Sequence, residues 1–138
     1  MQAAALGYVE RDGGLDLVLV TSRRTRRWIF PKGAVGAGES PSAAAARELM
    51  EEAGVIGDAA PGPIGVYTSL KATPRGLASI DVELYPVRVR SVVDTWPEKR
   101  LRQRRILPVA EAAALIATPE MAELIALFAR LHRRDDQT

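Results

Sequence analysis

Glu48, Glu51 and Glu52 stand at i, i+3 and i+4 in the segment Arg47-Glu48-Leu49-Met50-Glu51-Glu52-Ala53. On a helix, at about 100° per residue, these carboxylates share an arc of about 100°. Like charges at this spacing weaken a helix, and a bare run of this kind is most often a solvated acidic face. A hard divalent cation reverses the sign of the problem. Mg²⁺ or Mn²⁺ takes oxygen ligands near octahedral geometry and completes its shell with waters and substrate phosphates. Upstream, Gly33, Gly36 and Gly38 lie between Lys32 and Glu39, where glycine lets a backbone carbonyl approach the same point. Clustered carboxylates holding cations neutralise a pyrophosphate and activate a water, and arginines clamp further phosphates bidentately. The chemistry this pattern suits is hydrolysis of a phosphoanhydride.

Composition narrows the alternatives. The chain has 138 residues, 47% apolar and 26% charged, which suits one soluble domain with a full core. No apolar run approaches the ~20 residues of a membrane span. There is no cysteine and one histidine, His132, so thiolate chemistry is excluded and a multi-histidine zinc site nearly so. The N-terminus lacks the pattern of a signal peptide, and the cytoplasm is the expected compartment. Net charge is only +2, but it is unevenly spread. Arg23, Arg24, Arg26 and Arg27 form one basic cluster, Lys99, Arg100, Arg102, Arg104 and Arg105 another, and the acids gather from Glu39 to Glu52. A basic cluster is commonly surface. Two of them around an acidic centre suit a small anionic substrate that needs a cation.

The elements that must position these groups read as a mixed α/β chain. Ala5–Glu10 and Leu15–Val20 flank an Asp12-Gly13-Gly14 turn and predict a hairpin. Trp28-Ile29-Phe30 is a short apolar run stopped by Pro31, and Lys32 to Glu39 reads as a loop. A helix then starts with Ser40 as N-cap and Pro41 in the first turn, and stops at Gly54. Its Ala46, Leu49 and Ala53 can pack on a sheet, and Arg47 is placed to reach Glu39 and pin loop to helix. Ile64–Leu70 and Ala78–Val89 predict strands, the second broken or bent near Pro86. Residues 94–105 read as a basic loop and 106–109 as extended. Ala110–Ile116 and Pro119–His132 predict helices, with Leu124, Leu127, Phe128 and Leu131 on one face. Residues 1–134 are expected to form a single domain and 135–138 a frayed tail.

Read from Gly33, five residues lead to Glu39 and seven more to Arg47-Glu48-Leu49-Met50-Glu51-Glu52-Ala53-Gly54-Val55. This resembles the Nudix box, G-x5-E-x7-R-E-U-x-E-E-x-G-U with U aliphatic, and every fixed position is met. At ordinary residue usage a chance match is on the order of 10⁻⁷. The resemblance implies an α/β/α sandwich around a mixed sheet. It implies hydrolysis of a pyrophosphate by water, with Mg²⁺ or Mn²⁺ polarising the phosphates. It further implies that Glu48, Glu51, Glu52 and the Gly33 carbonyl bind metal, and that Glu39, Arg47 and Gly54 shape the motif. The general base stays open: Glu52 or Glu48 within the box, or Glu83, Asp81 or Glu98 outside it, Glu83 being first among these last three.

The flanks bear on the substrate. Arg27-Trp28-Ile29-Phe30-Pro31-Lys32-Gly33 looks like the lead-in of Nudix members acting on diphosphoinositol and diadenosine polyphosphates. Trp96-Pro97-Glu98-Lys99 with Arg104-Arg105-Ile106 resembles a second stretch of that branch, but Ile106 stands where many relatives carry an aromatic. Arg27 and Lys32, beside Gly33, are the first candidates for phosphate binding, followed by Arg24, Lys99 and Arg100; Arg23, Arg26, Arg102 and Arg104 could join the rim. Trp28 and Trp96 suit core or ligand platform equally, and Tyr67 and Tyr85 have no assignable role. Three other readings stand beside this one. They are a nucleoside triphosphate pyrophosphatase, an RNA 5′-pyrophosphohydrolase (disfavoured by 5% aromatic content), and a silent Nudix-like domain that senses a nucleotide. Nucleic acid is therefore not an expected partner, and without a long apolar run neither is a membrane.

Overall fold

The computed structural model describes residues 1–136. In chain order the elements are strands β1 (Gln2–Arg11), β2 (Gly14–Thr21), β3 (Trp28–Ile29) and β4 (Lys32–Ala34), helix α1 (Pro41–Ala53), strands β5 (Val55–Ala59), β6 (Gly65–Thr73), β7 (Gly76–Val92) and β8 (Arg104–Pro108), and helices α2 (Val109–Leu115) and α3 (Pro119–Asp136). The strands form one mixed sheet with the central order β3-β2-β1-β7-β5; β4 also pairs with β1, β6 with β7 and β8 with β2. β1 and β7 run parallel, and the other pairs are antiparallel.

Both faces of the sheet are covered, which explains why β1 and β2 read as continuous apolar runs rather than alternating ones. Ala3, Ala5, Val18 and Val20 face α1 and meet Ala44, Ala45, Leu49 and Ala53. Ala4, Leu6, Leu17 and Leu19 face the other way and meet Ala112 and Ile116 of the α2 segment with Met121, Ile125 and Phe128 of α3. The result is the expected α/β/α sandwich.

Five local expectations are corrected. β7 runs through Pro86 without a break. The Pro86 carbonyl accepts from Ala60 N at 2.8 Å and the Leu84 carbonyl from Ile64 N at 2.9 Å. The proline nitrogen thus faces the 60–64 connection between β5 and β6, where no ladder partner is lost. β5 was not expected; it forms because β7 offers it an edge, from Val55↔Val92 to Ala59↔Val87. On α3 the buried stripe is Met121, Ile125 and Phe128, while Leu131 is 41% exposed, because the apolar cover ends before it. On α1, Ala44 and Ala45 fill the role foreseen for Ala46, which is half-buried. α3 continues through Asp136, two residues into the expected tail; Gln137 and Thr138 lie outside the described residues.

Candidate active site

Local signals set the motif helix. Ser40 Oγ accepts from Ala43 N at 3.1 Å, and Pro41 occupies the first turn, where a missing N–H costs nothing. At the other end Gly54 is left-handed, φ 67°, and its N–H closes on the Met50 carbonyl. Gly54 is also obligatory for space, since a Cβ there would come 2.6 Å from the Trp96 ring.

Segment 93–104 seals the C-terminal end of α1. Glu98 N donates to the Glu51 carbonyl at 3.0 Å and Val93 N to the Gly54 carbonyl at 2.9 Å. Trp96 Nε1 donates to the Glu52 carbonyl at 3.0 Å, and Arg104 Nη1 to the Ala53 and Val93 carbonyls at 2.9 Å each. Arg104 also lies 4.2 Å over the Trp96 ring. A cation and N–H donors at this end satisfy the open carbonyls and oppose the helix dipole. Trp96 and Arg104 therefore hold the helix rather than form a ligand platform and a phosphate rim.

Arg47 ties loop to helix as expected. Its Nε and Nη2 grip Glu39 bidentately at 2.8 and 2.9 Å, Nη2 also reaches the Ala34 carbonyl at 3.0 Å, and Gly36 N donates to Glu39 Oε1 at 2.9 Å. The Arg47 guanidinium, then this amide, holds the Glu39 carboxyl at about 2 and raises the pKa of Arg47 in turn. Arg47 Nη1 further contacts Glu48 Oε1 at 2.6 Å and Glu51 Oε2 at 3.4 Å.

Glu48 and Glu52 are buried, whereas Glu51 is partly open. The Glu48 carboxyl lies directly against Gly33: a Cβ at Gly33 would stand 2.2 Å from Oε1. Only glycine leaves room for this carboxylate beside the strand. Glu52 is met by the Lys32 amide at 3.3 Å and by Arg102 Nη2 at 3.6 Å. Burial pushes its carboxyl well above the usual carboxylate range, against the pull of Arg102 and with the help of Glu48. Burial also lowers the Lys32 ammonium, with Glu52 opposing. Among the described residues no three His, Cys, Asp or Glu side chains converge as a ready-made metal site; Arg47 contacts Glu48 and Glu51, and Arg102 faces Glu52. The donor set still fits a hard divalent cation: two buried carboxylates, a third at the surface, and a glycine whose bare Cα lets one of them close in.

A cleft of about 420 Å³ opens onto Glu52, lined by Arg23, Arg24, Arg27, Lys32, Lys71 and Arg102 among others. The turn after β2 presents the first two arginines, with Ser22 N bonded to the Arg27 carbonyl at 2.8 Å. Arg27 donates to the Ala117 carbonyl, anchoring the α2–α3 connection. Arg102 is fixed by Glu98 at 2.8 Å and the Thr21 carbonyl at 3.1 Å. Of the expected phosphate ligands, Arg24, Arg27 and Lys32 line this cleft; Lys99 and Arg100 do not. Lys99 instead donates to the Asp94 carbonyl and lies 5.5 Å over Trp96. Arg26, foreseen at the rim, sits at φ 60° and is also outside the lining. Lys71 was not foreseen: a lone lysine on a strand carries no local signal.

Glu83 shares a row of the sheet with Gly33, through Gly33↔Ala3 and Ala3↔Glu83. Its side chain accepts from Tyr85 OH at 3.2 Å, and with Asp81 and Lys71 it lines a second hollow of about 520 Å³. Trp28 is half-buried against the main core, and Glu98 is engaged with Arg102.

The class is thus an α/β/α sandwich whose one motif helix presents buried carboxylates to a cation-rich cleft. Its family follows from likeness to known proteins. A NUDIX domain family model matches residues 1–128. Nudix hydrolase 12, mitochondrial, of Arabidopsis thaliana is 32% identical over 132 residues, covering 88% of this chain and 65% of that protein. Nudix hydrolase 13, mitochondrial, of the same plant is 29% identical over 136 residues, covering 94% and 67%. The chain spans about two thirds of the length of these relatives. An Ap4A hydrolase of C. elegans, solved as a binary complex, superposes with a TM-score of 0.70 at 21% identity over 96% of each chain. The NUDIX domain of Shewanella oneidensis NrtR, complexed with ADP ribose, gives 0.68 at 16% identity over 99% of this chain and 87% of that one. At such identities these two likenesses show the fold. The chain belongs to the Nudix family.

Proposed function

We propose that this protein is a divalent-cation-dependent pyrophosphohydrolase acting on a polyphosphorylated substrate of the diadenosine or diphosphoinositol polyphosphate type. The observation that carries the reading is the cleft itself, which six cationic side chains line together with Glu52. Phosphate-rich ligands reward such a lining; a compound with one phosphoanhydride and a neutral body needs far less of it.

Glu48, Glu51, Glu52 and the Gly33 carbonyl would hold Mg²⁺ or Mn²⁺. When bound, the cation polarises the phosphates and lowers the pKa of attacking water. The chain's own residues do the rest. Arg47 keeps the Gly33–Glu39 loop against α1. Arg102 faces Glu52 from the cleft wall and balances charge when phosphates enter. Arg23, Arg24, Lys32 and Lys71 bind the anionic chain, and Arg27 frames it while fixing the wall at Ala117. A water proton passes to a carboxylate, Glu52 or Glu48 from the helix or Glu83 from the sheet. Glu83 is oriented by Tyr85 and stands in the row of Gly33.

The test is a substrate panel with Mg²⁺ or Mn²⁺, products read by mass. It compares diadenosine polyphosphates, diphosphoinositol polyphosphates, nucleoside triphosphates and nucleotide sugars. Fast cleavage of the first two supports the reading. Preference for a triphosphate would replace it with a nucleotide pyrophosphatase, and absence of turnover with every compound would leave a binding domain.

A further inference from the structure

The turn from Ser22 to Arg27, between β2 and β3, is wound by its own side chains. Ser22 Oγ accepts from Thr25 N at 3.1 Å, Thr25 Oγ1 accepts from Arg27 N at 3.4 Å, and the two hydroxyls are bonded to each other. Arg26 N donates to the Ser22 carbonyl at 3.1 Å and Ser22 N to the Arg27 carbonyl at 2.8 Å, which closes the turn. Arg26 adopts φ 60°, alone among the described non-glycine residues. A left-handed arginine is uphill where glycine would be free. Such strain persists where the surroundings over-determine it, and it gathers at ligand clamps. Both ends of the turn are tethered. Before it, Thr21 Oγ1 accepts from Gln103 N at 2.9 Å and the Thr21 carbonyl from Arg102 Nη1 at 3.1 Å. After it, Arg27 donates to the Ala117 carbonyl. Between these tethers Ser22, Arg23, Arg24 and Thr25 line the cleft, and Arg26 does not. Arginines this close in sequence repel one another and would spread apart on a free segment.

We propose that Ser22 and Thr25 are positioning residues of a phosphate-reading turn: their hydroxyls wind it so that Arg23 and Arg24 stand together at the cleft, already ordered for an oligophosphate chain. Without the hydroxyls the two arginines are ordered only as the anion arrives, and the entropy lost at that moment weakens binding. Neither hydroxyl takes part in bond cleavage. The proposal rests on the reading of the cleft as a phosphate site, and its test lets the two fail separately.

The experiment titrates inorganic tripolyphosphate into the metal-free protein by calorimetry. It compares the unsubstituted chain with Ser22→Ala, with Thr25→Val, which keeps the shape and loses the hydroxyl, and with Thr25→Ser, which keeps the hydroxyl. Arg23→Ala/Arg24→Ala, alone and combined with Thr25→Val, completes a double-mutant cycle. Ser22→Ala and Thr25→Val should each weaken tripolyphosphate by roughly fivefold, the scale of ordering one or two long side chains on binding. Thr25→Ser should bind as tightly as the unsubstituted chain. With both arginines removed, Thr25→Val should have no further effect. On the best substrate of the panel KM should rise by about the same factor, with kcat within about twofold. Equal weakening by Thr25→Val with and without the arginines would overturn the proposal, since the hydroxyl would then act on some other group. Unaltered affinity in Ser22→Ala and Thr25→Val, or a fall in kcat at unaltered KM, would overturn it as well. So would failure of these two variants to fold, because the hydroxyls would then serve the fold. Should the unsubstituted protein take up no tripolyphosphate, the phosphate reading of the cleft fails first and this proposal with it.

Discussion

Gly33→Ala separates the fold from the chemistry. The added methyl would lie 2.2 Å from Glu48 Oε1, 2.4 Å from Cδ and 2.8 Å from Oε2. Carbon–oxygen contacts settle at about 3.3 Å or more, so the carboxyl must retreat by about 1 Å. All three obstructing atoms belong to the end of a flexible side chain, and Gly33 needs no positive φ. The backbone therefore accepts alanine, and the loss of stability should stay near 1 kcal/mol, a fall of no more than about 5 °C in Tm. The chemistry has no such tolerance. A misplacement of about 1 Å at a reacting centre costs on the order of 100-fold, and the displaced carboxyl also leaves its 2.6 Å contact with Arg47. Circular dichroism melts paired with initial rates at saturating Mn²⁺ would measure both. Near-normal kcat/KM in a folded variant would refute the reasoning, and so would loss of the fold.

Other expectations follow from the same geometry. Glu52→Gln should fold and lose on the order of 10³ in kcat; a rate within tenfold of normal, read by product mass, would remove Glu52 from the chemistry. Lys71→Ala should raise KM for a polyphosphorylated substrate severalfold while Arg100→Ala leaves it unchanged, since only Lys71 lines the cleft; equal effects would show that the lining does not select substrate. Arg104→Ala strips two carbonyls of their donor and uncovers Trp96, so urea midpoints should report a loss of about 2–4 kcal/mol, with KM of the folded fraction unaltered. Glu39 titrates at about 2 rather than its ordinary 4.5, so its bond to Arg47 stabilises fully above about pH 4.5 and is lost as pH falls through about 2. Glu39→Gln should flatten acid unfolding across that window; an unchanged acid profile would show that the pair contributes nothing.

What the chain order announces is what local chemistry controls. Ser40, Pro41 and Gly54 bound α1 because caps and breakers act within a turn, and the Arg47–Ala53 part of the Nudix box sits on that one helix. The hairpin of Ala5–Glu10 and Leu15–Val20 was legible from its turn, but not the start of β1 at Gln2 or its burial on both sides, which takes the parallel neighbour β7. Val55–Ala59 is interrupted by Gly57 and lacks alternation, so its strand state comes from the edge β7 offers. Trp96 and Arg104 reach Glu52 and Ala53 across more than forty residues. Their charge and aromaticity were visible and their partners were not, so Arg104 read as a rim candidate and Trp96 as core or ligand platform equally. Lys99 meets Asp94 and Trp96 within its own loop, and Arg100 stands outside the cleft lining. Lys71 acquires meaning only from the cleft it borders, and nothing in its immediate neighbours marks it.

The central claim is water attack on a phosphoanhydride aided by a divalent cation. It is tested most directly by turnover of a diadenosine polyphosphate in ¹⁸O-labelled water with Mg²⁺, repeated after chelation, with products resolved by mass. The account predicts one ¹⁸O in a phosphate product per bond cut and loss of turnover on chelation. Undiminished turnover in chelator, or label absent from every phosphate, would contradict it.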